Sequence, residues 1–387
     1  LFSLTRIGLL DLKFLLPLHH KFFLKIMKNR ILTIALLMSA IGCAQAQKSL
    51  PMLVGTYTDS GSCGIYSFCF DQVSGKAEKL DSLALRNPSF LTLSRDGRYV
   101  YAVGETDDRQ ASLNTIRFNA KNGRMQLLSS AATEGKSPCY VATNGKMAVT
   151  ANYSGGSMSV FRLENGGSQA TLTQRFLGAK GGPDLSRQEA PHVHCATFTP
   201  DGKYILATDF SADRICSYRL RGTTVVANGI AAQIAPSSGP RHLVFSRDGR
   251  FAYLISELSG KVSVFSYRDG RLKEIQTVVS DSVGARGSGD IHLSPDGKFL
   301  YSSNRLKADG IAIFAVDARS GKLTKVGYQP TGRHPRHFNI TPNGRYLLCA
   351  SRDNNKIQVF RRDEKTGLLT DIHQDIPVSK AVCVQFF

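Results

Sequence analysis

Arg241 and Glu257 stand eight residues before and eight residues after Gly249, in the stretch GPRHLVFSRDGRFAYLISE. If the flanking apolar runs form a hairpin about Asp248-Gly249, residues equidistant from the turn lie close across the strands. An arginine and a glutamate placed in this way can share a charge, clamp an anion or move a proton. The same count from Gly97, Gly145, Gly202, Gly297 and Gly344 gives Ser89, His194, Gly289 and Arg336 before the turn, with Cys139 in a shortened second unit. After the turn it gives Glu105, Tyr153, Phe210, Arg305 and Arg352. Across the two registers four arginines (Arg241, Arg305, Arg336, Arg352) outnumber two glutamates (Glu105, Glu257). Unpaired charge is costly to bury, so an anionic ligand is the natural missing partner. Ion pairs that only brace the fold are the alternative, and Glu257 with Arg241 or Arg305 would fit it.

The elements that must position these residues are repeats. PSFLTLSRDGRYVYAVGE (from Pro88), a degenerate PCYVATNGKMAVTANY (from Pro138), HVHCATFTPDGKYILATDF (from His192), DIHLSPDGKFLYSSNR (from Asp290) and PRHFNITPNGRYLLCASR (from Pro335) are variants of one hairpin. The turn glycines are separated by 48, 57, 47, 48 and 47 residues, and the surplus falls in GAKGGPDLSRQEA (Gly178–Ala190), an inserted loop. Each unit continues with two further alternating strands, as in KVSVFSY and LKEIQTV. Four antiparallel strands in about 47 residues is the pattern of a β-propeller blade. Six units carry the first hairpin. MLVGTYT, GIYSFCFD and LDSLAL ahead of them, with AVCVQFF at the far end, complete a seventh and seal the ring. The expected fold is all-β, a seven-bladed propeller in one domain over 50–387, its N- and C-terminal strands sharing a blade. The chain has no Trp, so the WD dipeptide of the WD40 class is missing. First strands line the channel of a propeller, and both registers therefore converge at one of its mouths.

Other candidates are weaker. His192 and His194 share a strand face, which suits a metal pair, but no matching carboxylate spacing accompanies them, and neither metal nor cofactor is expected. His292, five residues before Gly297, is placed facing the channel below the mouth. His242 and His337 follow Arg241 and Arg336, so strict alternation turns them away into blade packing. Asn152, Asp209 and Asn304 are read as strand-end residues that satisfy backbone. The eight cysteines include no C-x-x-C pair, which argues against a zinc site or a disulfide framework.

The formal charge is +19; residues 1–46 contribute six basic and one acidic residue, leaving +14 for the remainder. No run of five or more Lys/Arg marks a nucleic-acid patch, so small anions are the expected partners. Residues 1–26 read as an over-extended start ahead of Met27. Residues 27–46 read as a signal peptide: basic Lys28 and Arg30, apolar Ile31–Ile41, then Ala44-Gln45-Ala46. The apolar run is too short for a membrane span. Gly42-Cys43 also matches the end of a lipoprotein signal, which offers a lipid anchor at Cys43. An exported monomer, periplasmic or anchored at the envelope, is expected.

PHVHCATFTPDGKY, GPRHLVFSRDGRFAYLISEL and DIHLSPDGKFLYSSNR together resemble the seven-bladed propeller lactonase family, over about Leu50 to Phe387. That family includes bacterial 6-phosphogluconolactonases and fungal carboxymuconate-cyclising enzymes. The resemblance implies a small anionic lactone as substrate and catalytic residues at His194, Arg241, Glu257 and Arg305. Arg241 and Arg305 would clamp the substrate anion and the developing oxyanion. His194 and Glu257 would be base and acid, in either order. Arg336 and Arg352 would hold a distal phosphate or carboxylate, and His292, Glu105 and Tyr153 would complete the substrate site. No G-x-S-x-G motif is present, so direct attack by water is expected. A muconate-type cycloisomerase on the same residues and a non-catalytic exported propeller that binds an anion or a protein are the competing readings.

Overall fold

The computed structural model describes residues 49–387; the proposed start, signal peptide and Cys43 lie outside the described residues. Leu50–Phe387 form one compact unit built of seven antiparallel sheets. Blades one to six begin at Leu91–Leu93, Pro138–Thr143, Val193–Phe198, Pro240–Phe245, Ser288–Leu293 and Pro335–Ile340. Blade seven joins the C-terminal strand Ala381–Phe386 to Ser49–Thr56, with Met52 opposite Phe386 and Val54 opposite Val384. Seven innermost strands then touch in cyclic order, and the last meets the first. This is the seven-bladed ring with shared terminal strands that the repeats predict.

The repeat holds because each blade buries both faces against its neighbours. Second strands such as Tyr204–Asp209 and Tyr346–Ser351 are buried at every position, whereas outer strands such as Met125–Ala132 are mostly open. Core clusters form between blades: Val160 and Ala196 between two and three, Val264 and Leu300 between four and five, Phe314 among the latter. A sheet covered on both faces loses the strict apolar alternation of a half-exposed one.

The hairpin turn is longer than the Asp-Gly dipeptide. Between Phe245 and Phe251 the chain runs through five residues, and Gly249 takes φ 70°, a left-handed conformation that favours glycine. Asp248 Oδ1 accepts from Ser246 Oγ (2.7 Å) and from the Arg250 N–H (3.1 Å), and Ser246 Oγ accepts from the Phe251 N–H (3.0 Å). Ser/Thr two residues before Asp/Asn recurs with the same bonds at Thr199-Asp201, Ser294-Asp296 and Thr341-Asn343. The Ser/Thr at the start of each turn belongs to the motif as much as the glycine does.

Candidate active site at the channel mouth

The innermost strands do not pair regularly. In blades two to six the register slips by one residue where Cys139, His194, Arg241, the Gly289-Asp290 pair and Arg336 stand. Blade seven slips likewise at Val382. A bulge leaves its extra residue out of the ladder and re-aims its side chain. Opposite these bulges, Tyr57, Glu105, Tyr153, Phe210, Glu257, Arg305 and Arg352 each follow the last residue of a blade's second strand. Two rings of side chains, one on bulges and one just past strand ends, are thereby set at the same end of the channel.

Glu257 is the hub of one side. Its Oε2 accepts from Arg241 Nε (2.9 Å) and lies 3.2 Å from Arg305 Nη2, while Oε1 accepts from Arg187 Nη2 (2.9 Å). Burial disfavours the carboxylate, but Arg305, Arg241 and Arg187 together outweigh it and hold its pKa down to about 2. Glu257 is therefore ionised at neutral pH. Arg241 also donates through Nη1 to the Gly289 carbonyl (2.7 Å), and Arg305 donates through Nε to Gly287 O (2.6 Å). Gly289 has no room for a side chain, since a Cβ would lie 2.6 Å from Ser303 Oγ. Burial, only partly offset by Glu257, draws the Arg305 pKa to about 9 with help from Arg241 and Arg336, which leaves it cationic near neutrality.

His194 lies 4% exposed beside this clamp. Cys139 Sγ is 3.7 Å from its Nδ1, and the Tyr153 and His242 rings approach edge-on at 5.4 and 5.2 Å. Burial, with Arg241 and His242, pushes its pKa well below the ordinary imidazole value, so it is neutral. Burial raises the Cys139 thiol far above its usual range, and it is no thiolate nucleophile.

Across the mouth Glu105 forms a second hub. Both its oxygens accept from Tyr57 OH (3.0 Å each), Ser89 Oγ donates to Oε2, and Arg336 Nη2 stands 3.8 Å from Oε1. The Arg336 guanidinium covers the Tyr57 ring at 5.3 Å. Arg336 also bears electrostatically on both His194 and Arg305, which joins the two hubs.

Below the clamp lies a buried carboxylate with three imidazoles. Asp290 Oδ1 is 2.7 Å from His242 Nδ1; Oδ2 is 2.8 Å from His292 Nε2 and 3.4 Å from His337 Nε2. Against the cost of burial, the neighbouring imidazoles hold the Asp290 carboxyl well below its usual range, so the ionised Oδ1 accepts from the His242 Nδ1–H, and Arg241 Nη1 lies against the same ring, 3.2 Å from Nε2 and 3.4 Å from Nδ1. Asp290 thus backs the Arg241 guanidinium through His242. The ligand atoms of Asp290, His292 and His337 lie within 4.8 Å of one another, a number and composition that could suit a metal ion. The hydrogen bonding is against it: Val384 N–H donates to His337 Nδ1 (3.3 Å), which puts a proton, not a lone pair, on the nitrogen facing Asp290.

The family profile described as lactonase, 7-bladed beta-propeller matches residues 51–386. The chain belongs to this lactonase propeller family. A curated Formosa agariphila 6-phosphogluconolactonase is 34% identical over 349 residues, 87% of this chain and 99% of that protein. A Bacteroides uniformis crystal structure, named as a candidate 6-phosphogluconolactonase, is 58% identical with a TM-score of 0.87, covering 88% of this chain and 100% of the other. The Pseudomonas aeruginosa periplasmic gluconolactonase PpgL is 35% identical with a TM-score of 0.83, covering 87% and 99%.

In this lactonase propeller, Arg241, Glu257 and Arg305 form one contact cluster with His194 beside it, and Tyr153 joins through Arg187, to which its OH stands at 3.1 Å. Glu105 and Arg336 meet on the far side. Arg352 instead binds its neighbour Asp353 through Nε (2.8 Å) and Nη2 (3.0 Å). His292 serves the Asp290 cluster. His192 stacks on Tyr153 (4.2 Å) with its Nδ1 on the Tyr153 carbonyl (2.9 Å), while His194 meets the same Tyr153 ring edge-on at 5.4 Å. His242 and His337 are corrected: the bulges at Arg241 and Arg336 break the alternation, and both rings turn toward Asp290. Asn152 and Asn304 bond serine side chains rather than backbone, while Asp209 holds the Ala179 N–H and Arg214.

Three residues were missed. Tyr57 is the seventh member of the strand-end ring, hidden because blade seven has no turn glycine to count from. Asp290 lay one residue beyond the counted position, inside a bulge. Arg187 sits in the loop that the long interval marked, outside the repeat.

Proposed function

We propose that this chain hydrolyses an anionic, sugar-derived lactone, as 6-phosphogluconolactonases do. The observation that carries the reading is a buried neutral imidazole, His194, beside two guanidinium groups fixed by a carboxylate that is ionised at neutral pH. Such guanidinium groups are preorganised for negative charge that develops on a carbonyl oxygen. His194 takes a proton from water as the water oxygen bonds to the lactone carbonyl carbon. Arg241 and Arg305 hold the resulting oxyanion. Collapse breaks the bond to the ring oxygen, which receives the proton back from the His194 imidazolium and leaves as a hydroxyl. Glu257, its oxygens engaged by three arginines, is a poor proton donor and holds the clamp in place. These features support His194 over Glu257 as the proton carrier.

Export to the periplasm is part of the proposal, supported by the signal-like residues 27–46 and by the periplasmic location in the name of PpgL. Among the described residues no helix is long and apolar enough to cross a membrane.

The test is turnover of 6-phosphogluconolactone and unphosphorylated gluconolactone by purified protein, beside His194→Ala. Ring opening by the wild type and its loss in His194→Ala are expected. Lactone formation from a carboxymuconate without hydrolysis of either sugar lactone would establish the cycloisomerase instead.

A further inference from the structure

The inserted loop Gly178–Ala190 delivers a cation to the mouth that the repeat does not encode. Arg187, in the single helical turn Leu185–Gln188, donates to Glu257 Oε1 (2.9 Å) and to the Tyr153 hydroxyl (3.1 Å), its guanidinium over the Phe210 ring at 5.4 Å. The backbone around it is fixed. Gln188 is fully buried and donates to Phe210 O (3.0 Å), Gly182 N–H donates to Ser211 O (2.8 Å), and Arg286 pairs with Asp184. Ser211 Oγ closes the loop's end on Ala190 O (2.6 Å). A firmly held loop thus aims one long side chain inward.

The three arginines on Glu257 are not equivalent. Arg241 and Arg305 have side-chain exposures of 2% and 5% and are tied to backbone carbonyls; Arg187 is 35% exposed. Arg187 alone engages Oε1, so it can turn toward a ligand while Oε2 stays bound to the other two. The Glu257 hub also has one more cation than the geometry of the clamp requires. The planar fork of an arginine matches a phosphate or carboxylate with two parallel hydrogen bonds, which suits it to an anionic substituent.

We propose that Arg187 is the specificity-determining residue of this site: it is shared between Glu257 and a phosphate monoester carried by the substrate away from the lactone carbonyl. The inference rests on the lactonase reading for its substrate, but not for its test. The phosphate-bearing end is held by the inserted loop, and the reacting carbonyl by Arg241 and Arg305. Selection for a charged lactone then comes from the loop, and the chemistry from the blades.

The experiment compares wild type, Arg187→Gln and Arg187→Lys in two assays. One is kcat/KM on 6-phosphogluconolactone and on gluconolactone; the other is calorimetric binding of 6-phosphogluconate and gluconate. A charge-assisted contact of this kind predicts that the phosphorylated-to-unphosphorylated ratio falls by roughly 10- to 100-fold in Arg187→Gln, mainly through KM, and is partly kept in Arg187→Lys. Affinity for 6-phosphogluconate should fall by a similar factor. A wild type without preference for the phosphorylated compound, or an Arg187→Gln protein with an unchanged ratio and unchanged affinity, overturns the proposal. If the wild type opens neither lactone, the hydrolytic reading fails; the 6-phosphogluconate titration still decides Arg187, by loss of affinity in its favour or equal affinity against it.

Discussion

Replacing Glu257 by Gln removes one charge from beneath three guanidinium groups and keeps the side chain's size. The carboxylate, 10% exposed, has a pKa of about 2 against an ordinary 4.5, burial being outweighed by Arg305, Arg241 and Arg187. That difference corresponds to about 3 kcal/mol of stability at neutral pH. Because the folded pKa lies below the unfolded one, the contribution is complete above about 4.5 and disappears as pH falls toward 2. With an unfolding entropy of about 2 cal/mol/K per residue, the loss lowers Tm by about 4 °C at pH 7. Scanning calorimetry of wild type and Glu257→Gln from pH 7 to pH 3 tests this, with the gap narrowing below about pH 4.5. Lactone turnover should drop at least about 100-fold, because the released Arg241 and Arg305 no longer sit where the oxyanion forms. An equal Tm, a pH-independent gap or wild-type turnover would refute the role given to this carboxylate.

The other expectations concern protons and support. His194 is already neutral at neutral pH, so kcat/KM should stay flat between about pH 6 and 8, its acid limb well below the ordinary imidazole pKa; a half-maximal rate near 6.5 in a pH–rate profile would contradict this. Asp290→Asn removes the negative charge behind His242 and replaces one of the two acceptor oxygens by an amide N–H donor, and kcat should fall by roughly 10- to 100-fold with a smaller change in KM, as a loosened Arg241 predicts. Wild-type kcat in that variant would show that Arg241 needs no such backing. Incubation with EDTA should leave lactone turnover unchanged, since the His337 nitrogen that faces Asp290 is a hydrogen-bond donor; loss of rate restored by a divalent cation would assign the Asp290 cluster to a metal.

The blade architecture was legible because it is written redundantly. Six near-copies of one hairpin and a split seventh unit leave one closed ring, and the burial of second strands explains why their apolar runs are continuous. The two registers were legible for a subtler reason. Regular pairing sets Phe245 opposite Ala252 and would set Pro240 opposite Glu257; the structure pairs Pro240 with Ser256. The extra residue in between is Arg241, so the ladder sets Gly239 beside Glu257, whose N–H donates to the Gly239 carbonyl, and the contact between eight-before and eight-after is made by side chains, from the bulged Arg241 to Glu257 just past the strand end. Side-chain direction was less legible. The bulge at Arg241 defeats the alternation rule at His242, and a sequence carries no explicit mark for a bulge.

What lay beyond reach was whatever the repeat does not predict. Arg352 occupies the right register yet turns to Asp353, because an adjacent carboxylate competes for it at 2.8 Å. Arg187 has no register and enters from a loop, so counting from turns could find its segment but not its target. The division has a physical basis. Ring closure demands the same backbone in each blade and therefore repeats it, while a bulge at the channel mouth in blades two to seven releases side chains from pairing without disturbing the core behind it. Residues at these bulges can differ freely, as Cys139, His194, Arg241 and Arg336 do, and an insertion between blades can add to them at little cost to the fold. Chemistry is accordingly concentrated where the repeat is locally broken, and a charged lactone would meet the bulges from inside the ring and the inserted loop from its rim.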